Sequence, residues 1–335
     1  MIIDNFDISK KVLIVAEIGN NHEGSLNLAK ELIELAHKCG ANAVKFQTIE
    51  PNLLVKSNEL GRIKMLEKFY FSPEEYKELK NYCDKVGIIF LSTPFSIECI
   101  EWLNNLVPAF KISSGDLTYH SLIKEVAKQG KPILLSTGMS NLKEIENAIS
   151  IINSFSPIKD SKERSCLMHC VSAYPTKEID ANLKCINTLK KFSNLVGYSD
   201  HTLGIEASIV AVALGARVIE KHFTISKDFS DFRDHSLSAD PNELRDLIYS
   251  IRKAEDLLGS AKKTLFECEQ NTHYAARRSF VAAKELKKGL ILKSEDIIAL
   301  RPLMSIPAER INDTIGRTLN KNFRKGDSLR EEDLN

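Results

Sequence analysis

The stretch VLIVAEIGNNHEGSLNLAKELIELAHKCGANAVKFQ (12–47) contains two apolar runs separated by a helical pattern. The runs VLIVAEI (12–18) and AVKFQ (43–47) are nearly continuously apolar, which is typical of parallel strands buried on both faces. Between them, apolar residues recur at helical spacing until Gly40 ends the pattern. These positions are Leu28, Leu32, Leu35 and Cys39. The segment therefore predicts a β-α-β unit.

Six further apolar runs alternate with helical patterns along the chain. They are IIFLS (88–92), AFKIS (109–113), ILLST (133–137), CLMHC (166–170), LVGYS (195–199) and RVIEK (217–221). Two helical segments open with capping sequences, SPEE (72–75) and DPNE (240–243), and the second ends at Gly259. An open doubly wound sheet needs the same local pattern, but no GxGxxG motif follows the first strand. Eight strands, each followed by a helix, therefore predict an α/β fold of the (β/α)8 TIM-barrel type.

Length and composition restrict the class of protein. The chain has 335 residues, 43% of them hydrophobic and 27% charged, which is ordinary globular usage. A formal charge of +1 gives no electrostatic case for nucleic acid or an anionic membrane surface as a partner. No apolar run approaches the ~20 residues of a membrane span, and we expect no secretory signal because Asp4 and Asp7 interrupt the first stretch. The seven cysteines lack CxxC spacing, so we expect reduced thiols and a cytoplasmic enzyme.

The β-α alternation stops near residue 261. We predict a barrel domain over 1–261, a linker over 262–278 and a second domain over 279–335. The second domain contains an internal repeat, because AKELKKGLILKSEDI (283–297) aligns without gaps with NKNFRKGDSLREEDL (320–334). Each copy predicts a strand, a basic turn with glycine and a short, acid-capped helix.

Polar residues follow all eight predicted strands. Active sites of TIM barrels lie at the C-terminal ends of the strands, so these residues are the candidate site. They are Glu17; Lys45 and Gln47; Ser92 and Thr93; Lys111, Ser113 and Ser114; Ser136 and Thr137; His169; Ser199, Asp200 and His201; Glu220, Lys221 and His222.

His201 and His222 follow the seventh and eighth strands, which are neighbours in a closed barrel. A lone histidine there most often bonds a backbone carbonyl, but two histidines on strands ~4.8 Å apart can share one metal ion. Asp200 and Glu220 are close enough in sequence to orient them. With two nitrogen ligands and oxygen ligands from water and substrate, we expect a divalent cofactor, Mn²⁺ first and Mg²⁺ or Co²⁺ as alternatives.

Cations and hydroxyls cluster at the middle strands. Lys45 and Lys111, with Ser114 and its neighbours, predict an anionic substrate such as a phosphate or carboxylate, because buried lysines need anions. A Schiff-base lysine is the alternative. Glu17 is a candidate base, or else a structural ion-pair partner of one of these lysines.

Together these motifs resemble the sialic acid synthase family, the phosphoenolpyruvate-dependent nonulosonate synthases. The resemblance covers essentially the whole chain and rests on EIGNNHEGSLNLAK (17–30), AVKFQT (43–48), FLSTPF (90–95), FKISSGD (110–116), LLSTGM (134–139), MHCVSAYPT (168–176), GYSDHT (197–202), GARVIEKHFT (215–224) and RRSFVAAKELKKG (277–289). It implies a TIM barrel followed by a small β-rich antifreeze-like (SAF, β-clip) domain.

The resemblance implies a transferase that condenses phosphoenolpyruvate with the open-chain aldehyde of an N-acylated hexosamine and releases phosphate by C–O cleavage. The acceptor would be N-acetylmannosamine or a diacetamido-trideoxyhexose. By motif, Glu17, Lys45 and Lys111 would be catalytic, and His201 and His222 would hold the metal. Phosphoenolpyruvate would be bound by Lys45, Thr93, Lys111, Ser114, Ser136 and Ser199, and the sugar by Gln47, Tyr174, Asp234 and Arg301.

Arg301 lies in the SAF domain, so the resemblance further implies a homodimer in which each SAF domain serves the partner's barrel. Four departures from the family pattern are expected to surround the sugar: Ser172, Asp116, FRDH (232–235) and RPLMSIP (301–307). Two alternatives stay open. One is a condensation of the 3-deoxy-octulosonate 8-phosphate type, and the other is a non-catalytic sugar-binding protein.

Overall fold

The computed structural model describes residues 1–157 and 164–335. The chain folds as two compact units, Met1–Gly259 and Ser260–Asn335. No helix in the described ranges is both long and apolar enough to cross a membrane. All seven cysteines are free thiols.

Eight parallel strands close into a barrel in the first unit, and a short hairpin precedes them. The hairpin is β1 (Ile2–Ile3) and β2 (Phe6–Asp7). The barrel strands are β3 (Leu13–Gly19), β4 (Ala43–Thr48), β5 (Ile89–Pro94), β6 (Phe110–Ile112), β7 (Ile133–Ser136), β8 (Ser165–Cys170), β9 (Leu195–Asp200) and β10 (Val218–His222). They follow chain order around the barrel, and β10 pairs with β3. The predicted TIM barrel is confirmed.

Helices connect the strands and surround the barrel. They are α1 (Leu26–Cys39), α2 (Pro51–Leu54), α3 (Leu60–Glu67), α4 (Pro73–Val86), α5 (Ile100–Asn104), α6 (His120–Lys128), α7 (Leu142–Phe155), α8 (Cys185–Leu189), α9 (Glu206–Ala213), α10 (Arg233–Leu237) and α11 (Pro241–Leu258). Helix α4 starts with the predicted capping box of Ser72 and Glu75. Asp240 caps α11 alone, because the carboxylate of Glu243 binds Lys227 Nζ at 2.6 Å instead.

Side chains alternate between the inside and the outside of the barrel along each strand. The inner set forms one apolar layer of Leu13, Val15, Ala43, Leu91, Ala109, Leu134, Cys166, Met168 and Val218. Ile3 and Ile8, from the hairpin region, pack into the same layer and cover it from the N-terminal end. The outer set, which includes Ile14, Val44 and Phe90, packs with the helices.

The second unit is built around the sequence repeat. It contains α12 (Gln270–Ala276), α13 (Ile311–Thr314) and an antiparallel pair, β11 (Ser279–Ala282) and β12 (Ile297–Leu300). The predicted strands within the repeats are reduced to isolated bridges, such as Leu286–Phe323, and each predicted helix is a single 3-10 turn. Part of the predicted linker, 262–278, is helical as α12 and groups with this unit.

Each copy of the repeat contains an equivalent ion pair. Lys284 Nζ lies 2.8 Å from Asp296, and Lys321 forms the same ion pair with Asp333. Each aspartate also accepts a backbone N–H from the residue three positions before it, at 2.9 Å for Asp296 and 3.0 Å for Asp333. Both aspartates are buried, so the pseudo-symmetry of the sequence extends to side-chain hydrogen bonding.

Candidate active site

A cavity of about 410 Å³ lies at the C-terminal ends of the barrel strands. The predicted site residues Glu17, Lys45, Gln47, Thr93, Lys111, Ser114, Ser136, Tyr174, Ser199, His201, His222 and Asp234 all line it. Arg301 is the exception, because it belongs to the second unit, where it follows β12 and is exposed. The fold therefore brings together every barrel residue to which the family resemblance gives a role, whereas the strand-end candidates Ser92, Thr137, His169, Asp200 and Lys221 do not line the cavity.

Strand alternation explains why these side chains converge. Val15 packs inside the barrel, so Glu17, two residues later, also points inward. The same step leads from Ala43 to Lys45 and from Ala109 to Lys111. A polar layer therefore lies directly above the apolar one, at the end of the barrel that faces solvent.

Two lysines and two glutamates form a buried charged cluster in this layer. Lys45 Nζ lies 2.7 Å from Glu17 Oε2 and 3.9 Å from Glu220 Oε2, and Lys111 Nζ lies 3.6 Å from Glu220 Oε1. All four side chains are at most 6% exposed. Neutral groups complete the cluster: Thr93 Oγ1 accepts from Lys45 at 3.0 Å, Gln47 Nε2 donates to Glu17 at 3.0 Å, and Ser199 Oγ donates to Glu220 at 3.0 Å.

The two glutamates differ in their electrostatic environment. Burial opposes ionisation of Glu220, but the charges of Lys111 and Lys45 outweigh it and hold the pKa of Glu220 at about 2. Burial raises the pKa of Glu17, and the negative charge of Glu220 raises it further against the opposing effect of Lys45. Glu220 is thus the permanent carboxylate of the pair, and Glu17 is the better group for exchanging a proton.

Hydroxyl groups line the cavity beside Lys111. Ser114 Oγ accepts the backbone N–H of Gly138 at 3.0 Å. Ser136 Oγ and Ser172 Oγ are buried, and within the described part of the chain neither has a hydrogen-bond partner. A Cβ on Gly138 would lie 2.5 Å from Ser172 Oγ, so glycine is needed for this close approach. Free hydroxyls beside a buried lysine are suited to an anion.

The two histidines face each other across the cavity with ring centroids 5.5 Å apart. His201 Nδ1 lies 2.8 Å from the carbonyl oxygen of Val171, so this nitrogen donates and Nε2 keeps its lone pair. His222 Nδ1 is buried and has no hydrogen-bond partner among the described residues. Burial and the neighbouring His201 hold the pKa of His222 well below its usual range, so it is neutral.

An imidazole binds a divalent ion through an unprotonated ring nitrogen, and His201 Nε2 and His222 Nδ1 are the nitrogens left for this role. No group of three or more His, Cys, Asp or Glu side chains in the described ranges is arranged to hold a metal, so other ligands would be water and substrate oxygens.

The prediction that Asp200 and Glu220 orient the histidines is wrong. Glu220 points to Ser199 and the lysines, as described above. Asp200 lies on the outer side of β9, where its carboxylate accepts from Lys221 Nζ at 2.9 Å and from Ser208 Oγ at 2.7 Å. Lys221 therefore also faces the helices. His169 also points away from the cavity, and its Nε2 lies 2.7 Å from the carbonyl oxygen of Ala181.

The outer part of the cavity is formed by loops. The ring of Tyr174 lies 4.2 Å from that of His201, and the guanidinium of Arg233 lies over Tyr174 at 5.6 Å. Asn20 Nδ2 donates to Gln47 Oε1 at 3.3 Å. Of the departures expected around the sugar, Ser172 and Arg233 line the cavity. Asp116 does not, since its carboxylate accepts from Ser113 Oγ at 2.6 Å outside the lining.

Comparison with known proteins assigns the chain to a family. The NeuB family profile matches residues 32–263, and the SAF domain profile matches residues 277–335. The chain belongs to the NeuB family. Among the relatives of this NeuB family member is the N,N'-diacetyllegionaminic acid synthase of Campylobacter jejuni, 40% identical over 96% of this chain and 100% of the relative.

Two further relatives show the range of the family. The N-acetylneuraminate-9-phosphate synthase of Homo sapiens is 34% identical over 95% of this chain and 91% of the relative. A crystal structure of the N-acetylneuraminic acid synthetase from Leptospira borgpetersenii, in complex with citrate, superposes with a TM-score of 0.73 at 37% identity. It covers 78% of this chain and 90% of the other. The family resemblance seen in the motifs is therefore confirmed.

Several lining residues of this NeuB family member were not among the predicted site residues. They are Asn20, Phe95, Gly115, Met139 and Cys170. For Cys170 the signal was present, because it lies two residues after the interior residue Met168. The loop residues carry no such periodic signal.

Proposed function

We propose that this NeuB family member condenses phosphoenolpyruvate with the open-chain aldehyde of an N-acylated hexosamine, which yields a nonulosonic acid and inorganic phosphate. The observation that carries the proposal is the cavity that combines two buried lysines, free serine hydroxyls and a facing pair of histidines. The names of the relatives, which are sialic-type acid synthases, support the same reaction class.

Phosphoenolpyruvate is assigned to the inner part of the cavity. Lys45 and Lys111 supply positive charge, and hydroxyls around them supply hydrogen bonds for its phosphate and carboxylate. The hydroxyls are those of Thr93, Ser114, Ser136 and Ser199. All these groups except the half-buried Ser114 are buried, so they stabilise charge on the reacting molecule with little reorganisation.

His201 and His222 are the residues proposed to hold a divalent ion, with Mn²⁺ expected and Mg²⁺ or Co²⁺ as alternatives. The free nitrogens described above support this assignment. Such an ion would supply Lewis acidity toward the aldehyde oxygen of the sugar.

The proposed chemical steps are those that the family resemblance implies, with the charged groups of the cavity in the roles given below. C3 of phosphoenolpyruvate attacks the aldehyde carbon, a C–C bond forms, and the aldehyde oxygen takes a proton from protonated Glu17 to become a hydroxyl. The cation left at C2 is attacked by water, whose proton passes to Glu17. The C2–O bond to phosphate then breaks, phosphate leaves and takes the proton of the C2 hydroxyl, and a ketone remains at C2. Lys45 and Lys111 hold the departing phosphate.

The acceptor sugar is assigned to the outer part of the cavity, against Gln47, Tyr174 and Asp234. The relatives are named for a diacetamido sugar acid, for a sugar acid phosphate and, in the Leptospira structure, for N-acetylneuraminic acid itself. A diacetamido-trideoxyhexose and N-acetylmannosamine are therefore both candidate acceptors.

We also propose a homodimer in which Arg301 of one subunit binds the N-acyl group in the barrel of the other. Support comes from the surface around Arg301, where Ile298, Leu300 and Met304 are 48%, 45% and 59% exposed. Exposed apolar residues of this size around a charged group are typical of a protein–protein contact.

The proposed reaction is tested by release of phosphate from phosphoenolpyruvate with a panel of aldoses, including N-acetylmannosamine and a 2,4-diacetamido-trideoxyhexose. Phosphate release that requires an N-acylated hexosamine supports the proposal. Release only with an aldopentose phosphate would favour the octulosonate type. Binding without release would favour a sugar-binding protein, and covalent trapping by borohydride would favour a Schiff-base lysine.

A further inference from the structure

The outer wall of the cavity contains a pair of opposite charges on consecutive residues, Arg233 and Asp234. Both line the cavity. Arg233 Nε and Nη2 lie 3.3 and 3.2 Å from Asp234 Oδ1, and the same guanidinium stacks over the ring of Tyr174. The Asp234 side chain is only 15% exposed, whereas that of Arg233 is 70% exposed. The carboxylate is therefore held inside the cavity wall and the arginine covers it from the solvent side.

The segment that carries the pair is fixed to neighbouring loops. His235 is fully buried, with Nε2 2.9 Å from Glu23 Oε1 and Nδ1 2.6 Å from Thr224 Oγ1. Ser238 Oγ donates to the carbonyl oxygen of Asp234 at 2.5 Å and accepts from Asn21 Nδ2 at 2.9 Å. These contacts tie α10 to the loop after β3, so the position of the charged pair is set by buried groups.

In the described part of the chain, the barrel's own lining leaves no uncompensated cation at this outer end, and the Arg301 proposed to enter from the other subunit is assigned to the N-acyl group. Among the described lining residues the lysines and arginines are Lys45, Lys111 and Arg233. Both lysines lie in the inner cluster with Glu17 and Glu220, where phosphoenolpyruvate is assigned. Arg233 is already bound to Asp234. Recognition of a phosphate group needs unpaired lysine or arginine donors, and a neighbouring carboxylate opposes it.

We propose that the Arg233–Asp234 pair selects an acceptor sugar without an ionised group and disfavours a sugar phosphate. The proposal rests on the proposed function and adds to it the charge class of the acceptor. A neutral sugar can accept a hydrogen bond from the remaining guanidinium N–H groups and donate one to Asp234. A phosphate dianion at the same place meets the Asp234 carboxylate.

The test compares kcat/KM for N-acetylmannosamine and for its 6-phosphate, with phosphoenolpyruvate saturating. We expect the uncharged sugar to be favoured by about 100-fold or more in the wild-type protein. Asp234→Asn keeps the shape of the side chain but frees the charge of Arg233, so it should reduce that preference by about tenfold, through a lower KM for the phosphate. The double variant Arg233→Gln/Asp234→Asn has no guanidinium charge at this position, so its KM for the 6-phosphate should not be lowered.

If N-acetylmannosamine is not turned over, it and its 6-phosphate are compared as competitive inhibitors of the acceptor sugar that is turned over. We then expect the ratio of their inhibition constants to show the same preference and the same change in Asp234→Asn. Equal use of both sugars by the wild type, or an unchanged ratio in Asp234→Asn, would overturn the proposal. Absence of phosphate release with every acceptor would overturn the proposed function instead, which keeps the two failures distinct.

Discussion

Lys221 Nζ lies 2.9 Å from Asp200 Oδ2, and both side chains are buried on the outer side of the two strands that lead to His201 and His222. Asp200 also accepts from Ser208 Oγ and from the backbone and hydroxyl of Thr202. Lys221 donates in addition to the carbonyl oxygen of Thr202 at 2.8 Å. This network joins β9 to β10 directly behind the histidine pair.

Asp200→Asn leaves the ammonium of Lys221 buried without a counter-charge. We expect the free energy of unfolding to fall by about 3–5 kcal/mol, because a buried charge that loses its partner retains its full desolvation cost. Urea unfolding followed by circular dichroism measures the change. Asp200→Asn/Lys221→Met removes both charges and should recover part of the loss. A double variant less stable than the single one would contradict this explanation.

His22 makes stability depend on pH. It is fully buried and stacks on Phe71 at 4.4 Å, and burial lowers its pKa from 6.5 to about 3. The unfolded chain therefore binds a proton below pH 6.5 that the folded chain does not bind until about pH 3. The contribution of neutral His22 to the free energy of unfolding is fully present above pH 6.5. It is lost as the pH falls toward 3, by about 5 kcal/mol at most.

The measurement is the unfolding free energy of the wild type and of His22→Asn between pH 6.5 and 4. The variant should be less stable at pH 7 but should lose less stability per pH unit. Parallel curves for the two proteins would show that His22 does not titrate in this way. Other groups contribute equally to both curves, so the difference isolates His22.

The proposed metal site predicts that activity requires a divalent ion. EDTA should abolish phosphate release and Mn²⁺ should restore it. His222→Ala should weaken Mn²⁺ binding by about 100-fold or more, since it removes one of two strong protein ligands. Titration calorimetry with Mn²⁺ alone measures this without relying on activity.

The matched control for the metal site is His120→Ala, which changes an exposed histidine at the start of α6. It should bind Mn²⁺ like the wild type. Full activity in rigorously metal-free protein, or unchanged Mn²⁺ affinity in His222→Ala, would show that the histidine pair holds no metal.

The sequence predicts all eight barrel strands within two residues of their observed ends, because each is a continuous apolar run buried on both faces. Both predicted helix starts are also observed, since Ser72 and Asp240 each accept a backbone N–H there. The hairpin of β1 and β2 was not predicted. Its strands have two residues each, and they are ordered by packing into the barrel rather than by any local pattern.

Most residues of the site can also be predicted from the sequence. A polar residue at a strand end does not by itself show whether its side chain points into the cavity or away from it. Ser199 and Asp200 are adjacent, yet one points into the cavity and the other toward α9. Alternation along the strand distinguishes them only when an interior residue is known, such as Leu195 four positions before Ser199. Met139 lies in a loop and Arg233 begins the short helix α10, so their places are set by tertiary contacts.

The proposed homodimer predicts complementation between two inactive variants. Arg301→Ala removes the group that serves the partner's barrel, and Glu17→Ala removes the proposed base. After subunit exchange, half of the dimers are mixed and each has one intact site of two, so about one quarter of wild-type activity should return. Exchange is verified with differently tagged subunits. Exchange without recovered activity would show that Arg301 does not serve the partner.

The most direct test of the proposed reaction uses phosphoenolpyruvate labelled with oxygen-18 in the bridging position, together with Mn²⁺ and each N-acylated hexosamine. Mass spectrometry is used to examine the released phosphate and the sugar product. We predict that the label leaves with phosphate and that the product contains the three carbons of phosphoenolpyruvate joined to the sugar. Label retained in the sugar acid, or phosphate release no higher than without the sugar, would contradict the proposed condensation.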